Sequence, residues 1–136
     1  IKEILIISSL VEKEAQDIND KRLISSVIFN RLENNMKLDI DATVIYAITE
    51  GKYKFNRKLN FEDLKYKSAY NTYKNKGLPS KPICIPGKNT IEIVLEKNIS
   101  PYFYYYYDNN IKSHIFSENY KEHLKNLHDY RSKKNK

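Results

Sequence analysis

The stretch Tyr70–Gly87, YNTYKNKGLPSKPICIPG, constrains this chain more than any other. It holds two of the three glycines and three of the four prolines, and its apolar residues follow neither the helical nor the strand period, so core packing does not explain it. Proline fixes φ and glycine admits positive φ, so Gly77, Pro79, Pro82, Pro86 and Gly87 predict an ordered loop. Two polar-aromatic pairs, Tyr70-Asn71 and Thr72-Tyr73, lead into it. Ordered loops without hydrophobic periodicity present side chains, and this one is the expected wall of a binding site.

Around the loop the periodicity predicts mostly helix. Residues 1–16 place Ile4, Ile7, Leu10 and Val11 at helical spacing. Asn19-Asp20 offers an N-cap for a second helix with Leu23, Ile24, Val27, Ile28 and Leu32 in one stripe, and Asn34-Asn35 stops it. Asp41 is the expected cap of a short helix from Thr43 to Thr49, ended by Gly51. Phe61–Lys67 reads as a brief helical turn, and Thr90–Lys97 as a helix capped by Asn89. Tyr102–Tyr107 (YFYYYY) is strand-like, Asp108-Asn109-Asn110 is turn chemistry, and Ile111–Ser117 is the return strand of a hairpin. Glu118–Arg131 closes as an amphipathic helix on Tyr120, Leu124, Leu127 and Tyr130. The expected class is α+β, mainly helical with a small antiparallel sheet, and 136 residues without repeat or boundary fit one domain.

Composition removes several function classes. No apolar run approaches the ~18 residues of a membrane span. Ile1 opens directly into a helical pattern without a start Met or a charged leader, so a fragment of a longer protein is expected. The net charge of +7 invites a nucleic-acid reading. The basic residues are scattered, however, apart from Arg131–Lys136, which reads as a solvated end, and the abundance of Lys, Asn, Ile and Tyr follows AT-rich coding. No nucleic-acid partner is expected. The single cysteine, Cys84, excludes an intrachain disulfide and a Cys-based zinc site. His123 and His128 stand five residues apart, a poor metal spacing. With no Gly-rich phosphate loop and no Ser in a nucleophile elbow, neither metal nor cofactor is expected.

The chemistry concentrates on acids. In SSLVEKEA, Glu14 lies within about 60° of Ile7, Leu10 and Val11 on the helical wheel, whereas Glu12 faces Leu5, Ser8 and Ser9. A carboxyl buried in an apolar stripe has its pKa raised, as a general acid requires near neutral pH. The alternative is that the helix ends there and Glu14 frays into solvent or pairs with Lys13 or Lys21. Asp39 reads as a solvated loop residue, and His114, on the return strand, as a packed or hydrogen-bonded one. The tyrosines of YFYYYY serve mainly in packing, with outward faces able to stack on sugar rings.

SLVEKEA, VIFNRL (Val27–Leu32), LDIDATVIYAI (Leu38–Ile48), the Tyr70–Gly87 loop and SHIFS with a later Glu122-His123 occur in one order. Together, from Ser8 to about Tyr130, they resemble the YceG-like endolytic murein transglycosylases. The chain departs from that pattern at Asp39, where the family commonly has Gln, and at Ala42, where it has Pro. Ser80-Lys81 stands for its Pro-Gly, and Ser113 for a Gly before the His.

The resemblance implies a lysozyme/transglycosylase-like catalytic domain in which Glu14 is the catalytic acid. It implies cleavage of the N-acetylmuramic acid–β-1,4–N-acetylglucosamine bond of nascent peptidoglycan strands without water, leaving 1,6-anhydro ends. Asp41, Asn71 and Tyr73 are then expected to bind sugar hydroxyls and N-acetyl groups, with Thr43 and Tyr46 nearby. Gly77 and Pro79 are expected to shape the cleft, His114 and Ser117 to line its far side, and Asn30 and Arg31 to hold the second helix to the loop. The family further implies an N-terminal membrane anchor, a small LysM-like subdomain, action at the outer face of the cytoplasmic membrane, and peptidoglycan synthases as partners. The rival readings are a non-catalytic glycan-binding module, a nucleic-acid binder, and a two-carboxylate hydrolase using Glu14 with Asp39 or Asp41.

Overall fold

A computed structural model describes residues 1–134. Helix α1 (Lys2–Glu14) runs through the centre, with α2 (Ile18–Glu33), α3 (Asp41–Thr49) and α4 (Lys88–Leu95) packed against it. Its apolar Ile7, Leu10 and Val11 are buried, and so are Ser8 and Ser9 on the other side. The serines are tolerated there because their hydroxyls donate to the carbonyls of Ile4 and Ile6, and Ser9 Oγ also accepts from the Ile83 amide. α1 is therefore enclosed on both faces rather than amphipathic, which the wheel alone did not indicate.

Three helix starts differ from the sequence expectation. α2 is capped by Asp17, whose carboxylate accepts from the Asp20 amide, so Asn19-Asp20 lies inside the helix. α3 begins at Asp41 with Ile40 as N-cap, which leaves the Asp41 carboxylate uncommitted to the backbone. α4 begins at Lys88 with Gly87 as N-cap, and Asn89 is not its cap. Instead Glu12 reaches across from α1, accepting from the Gly87 amide and the Thr90 hydroxyl while pairing with Lys21 at 3.1 Å. The stops fall near expectation: Asn34 ends α2, and Glu50 (φ 54°) with Gly51 (φ 75°) ends α3.

The hairpin forms from β1 (Tyr104–Asp108) and β2 (Ser113–Ser117), antiparallel, with Tyr105 opposite Phe116 and Tyr107 opposite His114. The turn residues Asp108-Asn109-Asn110 connect them, Asp108 accepting from the Asn110 amide. Helix α5 (Tyr120–Lys134) covers the sheet and runs beyond Arg131, so the expected solvated end is helical as far as Lys134, and its last two residues lie outside the described ones. No helix among the described residues is long and apolar enough to cross a membrane.

The Tyr70–Gly87 loop is ordered by side chains. Asn71, fully buried, donates to the carbonyls of Leu64 and Tyr66 and accepts from the Tyr73 amide. Thr72 Oγ1 lies 2.9 Å from Thr43 Oγ1 and accepts from the Ile40 amide, locking the loop onto the start of α3. Gly77 takes a left-handed turn (φ 86°) that other residues adopt at a cost.

Arg31 is the buried tether of the second half. Its guanidinium donates to the carbonyls of Phe103, Lys37 and Leu38 and lies 4.8 Å from the centre of the Tyr104 ring. Asn30 donates to the carbonyls of Ser100 and Tyr102. These residues thus hold α2 to the chain entering β1, and Arg31 also to the segment before α3, rather than to the Tyr70–Gly87 loop. Arg31→Met strands three carbonyls and is expected to lower unfolding stability by about 3 kcal/mol in urea titration. Arg22→Ala, which removes an exposed pair with Glu96, is expected to change it by less than about 0.5 kcal/mol.

Candidate active site

Glu14 is the last residue of α1, and the chain turns extended at Ala15 (φ −149°, ψ 156°). Its carboxyl sits where two cavities of about 490 and 330 Å³ adjoin, both lined by Glu14, Tyr107 and His114. The Tyr105 hydroxyl donates to Glu14 Oε1 at 2.8 Å. Burial pushes the Glu14 carboxyl up to about 7, against the pull of the Tyr105 bond and with the help of the nearby Asp41 charge. Neither fraying nor a lysine pairing describes it, since it remains helical and Lys21 is taken by Glu12. Two residues earlier the same helix does the reverse. The Gly87 amide bond holds the Glu12 carboxyl below its usual range, helped by Lys21 and Thr90 against partial burial.

The smaller cavity is walled by Arg31, Leu38, Asp39, Asp41, Tyr73 and Tyr105–Tyr107. Asp41, on the first turn of α3, accepts a short hydrogen bond from the Tyr73 hydroxyl. Burial and then Asp41 itself raise the Tyr73 hydroxyl well above its ordinary value, so it stays a donor. Asp39 has a left-handed backbone (φ 51°) and is exposed, as expected of a loop residue, with its carboxylate 3.7 Å from Arg31. Burial raises its carboxyl, Arg31 and Lys37 oppose that, and Asp41 adds to it.

The larger cavity is polar, with Lys13, Gln16, Asp17, Asp20 and Lys112 around Glu14. Its far side carries His114, whose Nδ1 lies 2.8 Å from Asp20 Oδ2. Asp20 also accepts from the His114 amide and the Ser113 hydroxyl.

The structure thus gathers Glu14, Asp41, Tyr73 and His114 around one cleft, as read from the sequence. The other expected contacts lie elsewhere. Asn71 is buried behind Tyr73 and positions it, without reaching the cleft. Thr43 is fully buried against Thr72. Tyr46 lines a separate cavity with Ile45, Thr49 and Tyr53, its ring edge-on to Tyr70. Pro79 packs beside Lys2, Glu3 and Ile6 at the opposite end of α1, about 16 Å of helix from Glu14. Gly77 lines neither Glu14 cavity and shapes the loop alone. Ser117 is buried, accepting from Asn126. The loop is a wall of the cleft only at Tyr73, with Gly87 behind it on Glu12.

The sequence marks Asp20 only as a helix cap and the YFYYYY tyrosines only as packing with outward faces for sugar, and it does not show Tyr105 as the partner of Glu14 or Asp20 as that of His114. Period-2 alternation puts Tyr105 and Tyr107 on one strand side, and that was the available signal. The partner of Asp20 is 94 residues away and leaves no local trace.

Fold and site define an α+β domain built on a cleft with one protonatable carboxyl among tyrosines. Over residues 1–129 the chain matches the YceG-like family. It belongs to that family. An endolytic murein transglycosylase of Bacillus subtilis (strain 168) is 38% identical over 99% of this chain and 36% of its own length. One from Streptococcus pneumoniae (serotype 2, strain D39) is 32% identical over 96% of this chain and 24% of its own. A YceG-like protein from Listeria monocytogenes, known from a crystal structure, superimposes with a TM-score of 0.83 at 38% identity, covering 91% of this chain and 39% of that one. The chain therefore spans well under half the length of these relatives.

Ionising Glu14 opposes folding. Its folded value of about 7 lies above the unfolded 4.5, so the stability it contributes is full below pH 4.5 and lost as pH rises through 7. Glu14→Gln is expected to match wild type at pH 4 and to exceed it at pH 8 by on the order of 3 kcal/mol in urea unfolding.

Proposed function

We propose that this chain is the catalytic part of an endolytic peptidoglycan lytic transglycosylase. The observation that carries the reading is Glu14, a carboxyl raised to about 7 at the centre of an open cleft. Relatives named endolytic murein transglycosylase, matched over almost all of this chain, support it.

Protonated Glu14 donates to the glycosidic oxygen leaving C1 of N-acetylmuramic acid. Tyr105 occupies Oε1 with a donor, so Oε2 is left to carry that proton. The cationic C1 is trapped by the muramyl C6 hydroxyl, whose proton returns to Glu14. A single carboxyl then acts as acid and base in turn, whereas hydrolases ordinarily divide the roles between two. Tyr73, held by Asp41, offers a fixed hydrogen-bonding edge to the sugar, and Tyr107 an aromatic face. The substrate we assign is the nascent glycan strand, and the role is to limit strand length beside the synthases. We place the reaction at the outer face of the cytoplasmic membrane, as family resemblance implies.

Asp39 and Asp41 share the smaller cavity with Glu14, which keeps a two-carboxylate hydrolysis as the competing reading. Mass spectrometry of products from uncrosslinked peptidoglycan strands separates the two. Internal 1,6-anhydromuramyl ends from wild type and none from Glu14→Gln are expected. Products heavier by one water would replace the transglycosylase reading with hydrolysis, and equal anhydro yield from both proteins would remove Glu14 from its role.

The pH profile follows from the same carboxyl. Because protonated Glu14 is the active form, kcat is expected to fall above about pH 7, roughly tenfold per pH unit. The Tyr105 bond holds the Glu14 value down, so Tyr105→Phe is expected to move this limb to higher pH in the kcat–pH profile.

A further inference from the structure

The mechanism above leaves unused the Asp20–His114 pair at the cleft wall. Both side chains are almost wholly enclosed, at 9% and 6% exposure, yet His114 lines both cavities that meet at Glu14. Asp20 is over-determined as an acceptor: it takes the His114 ring, the His114 amide and the Ser113 hydroxyl. Burial pushes its carboxyl up, but these bonds outweigh that and hold it below the usual range. An ionised carboxylate only accepts, so Nδ1 of His114 is the donor. In the neutral imidazole Nε2 is then an acceptor, and it has no protein partner among the described residues. Tyr105 and Tyr107 flank the ring edge-on at 5.5 and 5.1 Å and fix its plane.

We propose that His114, oriented by Asp20, is a second catalytic residue that accepts a hydrogen bond from the 2-acetamido N–H of the muramyl residue undergoing cleavage. This inference rests on the transglycosylase reading and supplies what that reading lacks, a group to stabilise the cation. As the glycosidic C1–O bond breaks and Glu14 protonates the leaving oxygen, the acetamido carbonyl oxygen bonds to C1, giving an oxazolinium ion. The N–H of that ion bears developing positive charge, and an imidazole acceptor backed by a buried carboxylate stabilises it. The muramyl C6 hydroxyl then attacks C1, the C1–O(carbonyl) bond breaks, and the hydroxyl proton goes to Glu14. The N–H proton stays on nitrogen throughout, and no water or redox partner enters.

The test compares wild type, His114→Leu, Asp20→Asn and Arg22→Ala by steady-state kinetics on uncrosslinked strands, with thermal unfolding as the check on folding. His114→Leu is expected to lower kcat by about 100-fold or more with KM within a few-fold. Asp20→Asn is expected to lower kcat in the same direction through the lost tautomer. Arg22→Ala, which removes only an exposed pair with Glu96, is expected to stay within about threefold. A muramyl thiazoline, a stable mimic of the bicyclic ion, is the second probe. Calorimetry is expected to show at least tenfold weaker binding to His114→Leu than to wild type, a reading that needs only a folded cleft. Unchanged kcat or unchanged thiazoline affinity in a folded His114→Leu overturns the inference while leaving the transglycosylase reading intact. Wild-type products lacking the anhydro end overturn that reading instead, and the inference with it.

Discussion

The burial of α1 from Ile6 to Val11, apolar and seryl faces alike, is the constraint from which the rest follows. A helix whose apolar and seryl faces are both buried leaves the acids at its C-terminal end little solvent, the Glu12 side chain being 29% exposed. Each of those acids must find partners or lose its charge. Glu12 finds them in the Gly87 amide, Thr90 and Lys21, and so becomes a strut between α1, α2 and the start of α4. Glu14 finds only a tyrosine hydroxyl and the repulsion of Asp41, and therefore favours its proton. Two carboxyls two residues apart thus acquire opposite electrostatics from neighbours on different elements.

The same economy of partners shapes the cleft. Tyr105 and His114 sit on adjacent antiparallel strands, so the hairpin delivers a donor to Glu14 and a fixed imidazole to the wall in one piece. Arg31 makes that delivery reproducible, since its guanidinium binds the backbone both before β1 and before α3. The opposite wall hangs on Thr72 and Thr43, which seat the loop so that Tyr73 meets Asp41. Glu14, the acid we propose, therefore stands on a helix and is surrounded by side chains whose own positions are fixed by buried polar contacts, the condition for preorganised chemistry.

Sequence order made the helices, the hairpin and Glu14 legible because each is announced locally. Apolar period gives a helix, YFYYYY and SHIFS give strands about an Asp-Asn turn, and an acid in an apolar stripe stands out on the wheel. The misplaced residues share one physical origin. Asn71, Thr43 and Ser117 are polar side chains in turn-rich or aromatic company, a pattern that serves equally for binding ligand and for satisfying buried backbone. Asp41 was read as a cap because its spacing allows it, but its carboxylate serves Tyr73 instead. Pro79 belongs to the same loop as Tyr73, yet the loop runs back along α1 and carries it to the far end.

Helical period and turn residues act over a few neighbours, so residue order is enough for the α+β class, the order of elements and an acid standing in an apolar stripe. Tertiary structure alone decided the partners of that acid. Tyr105 lies 91 residues from Glu14, and Asp20 lies 94 from His114. Contacts at such separations depend on how enclosed elements pack, and burial of charge, unlike periodicity, is a property of everything around a residue rather than of its own segment.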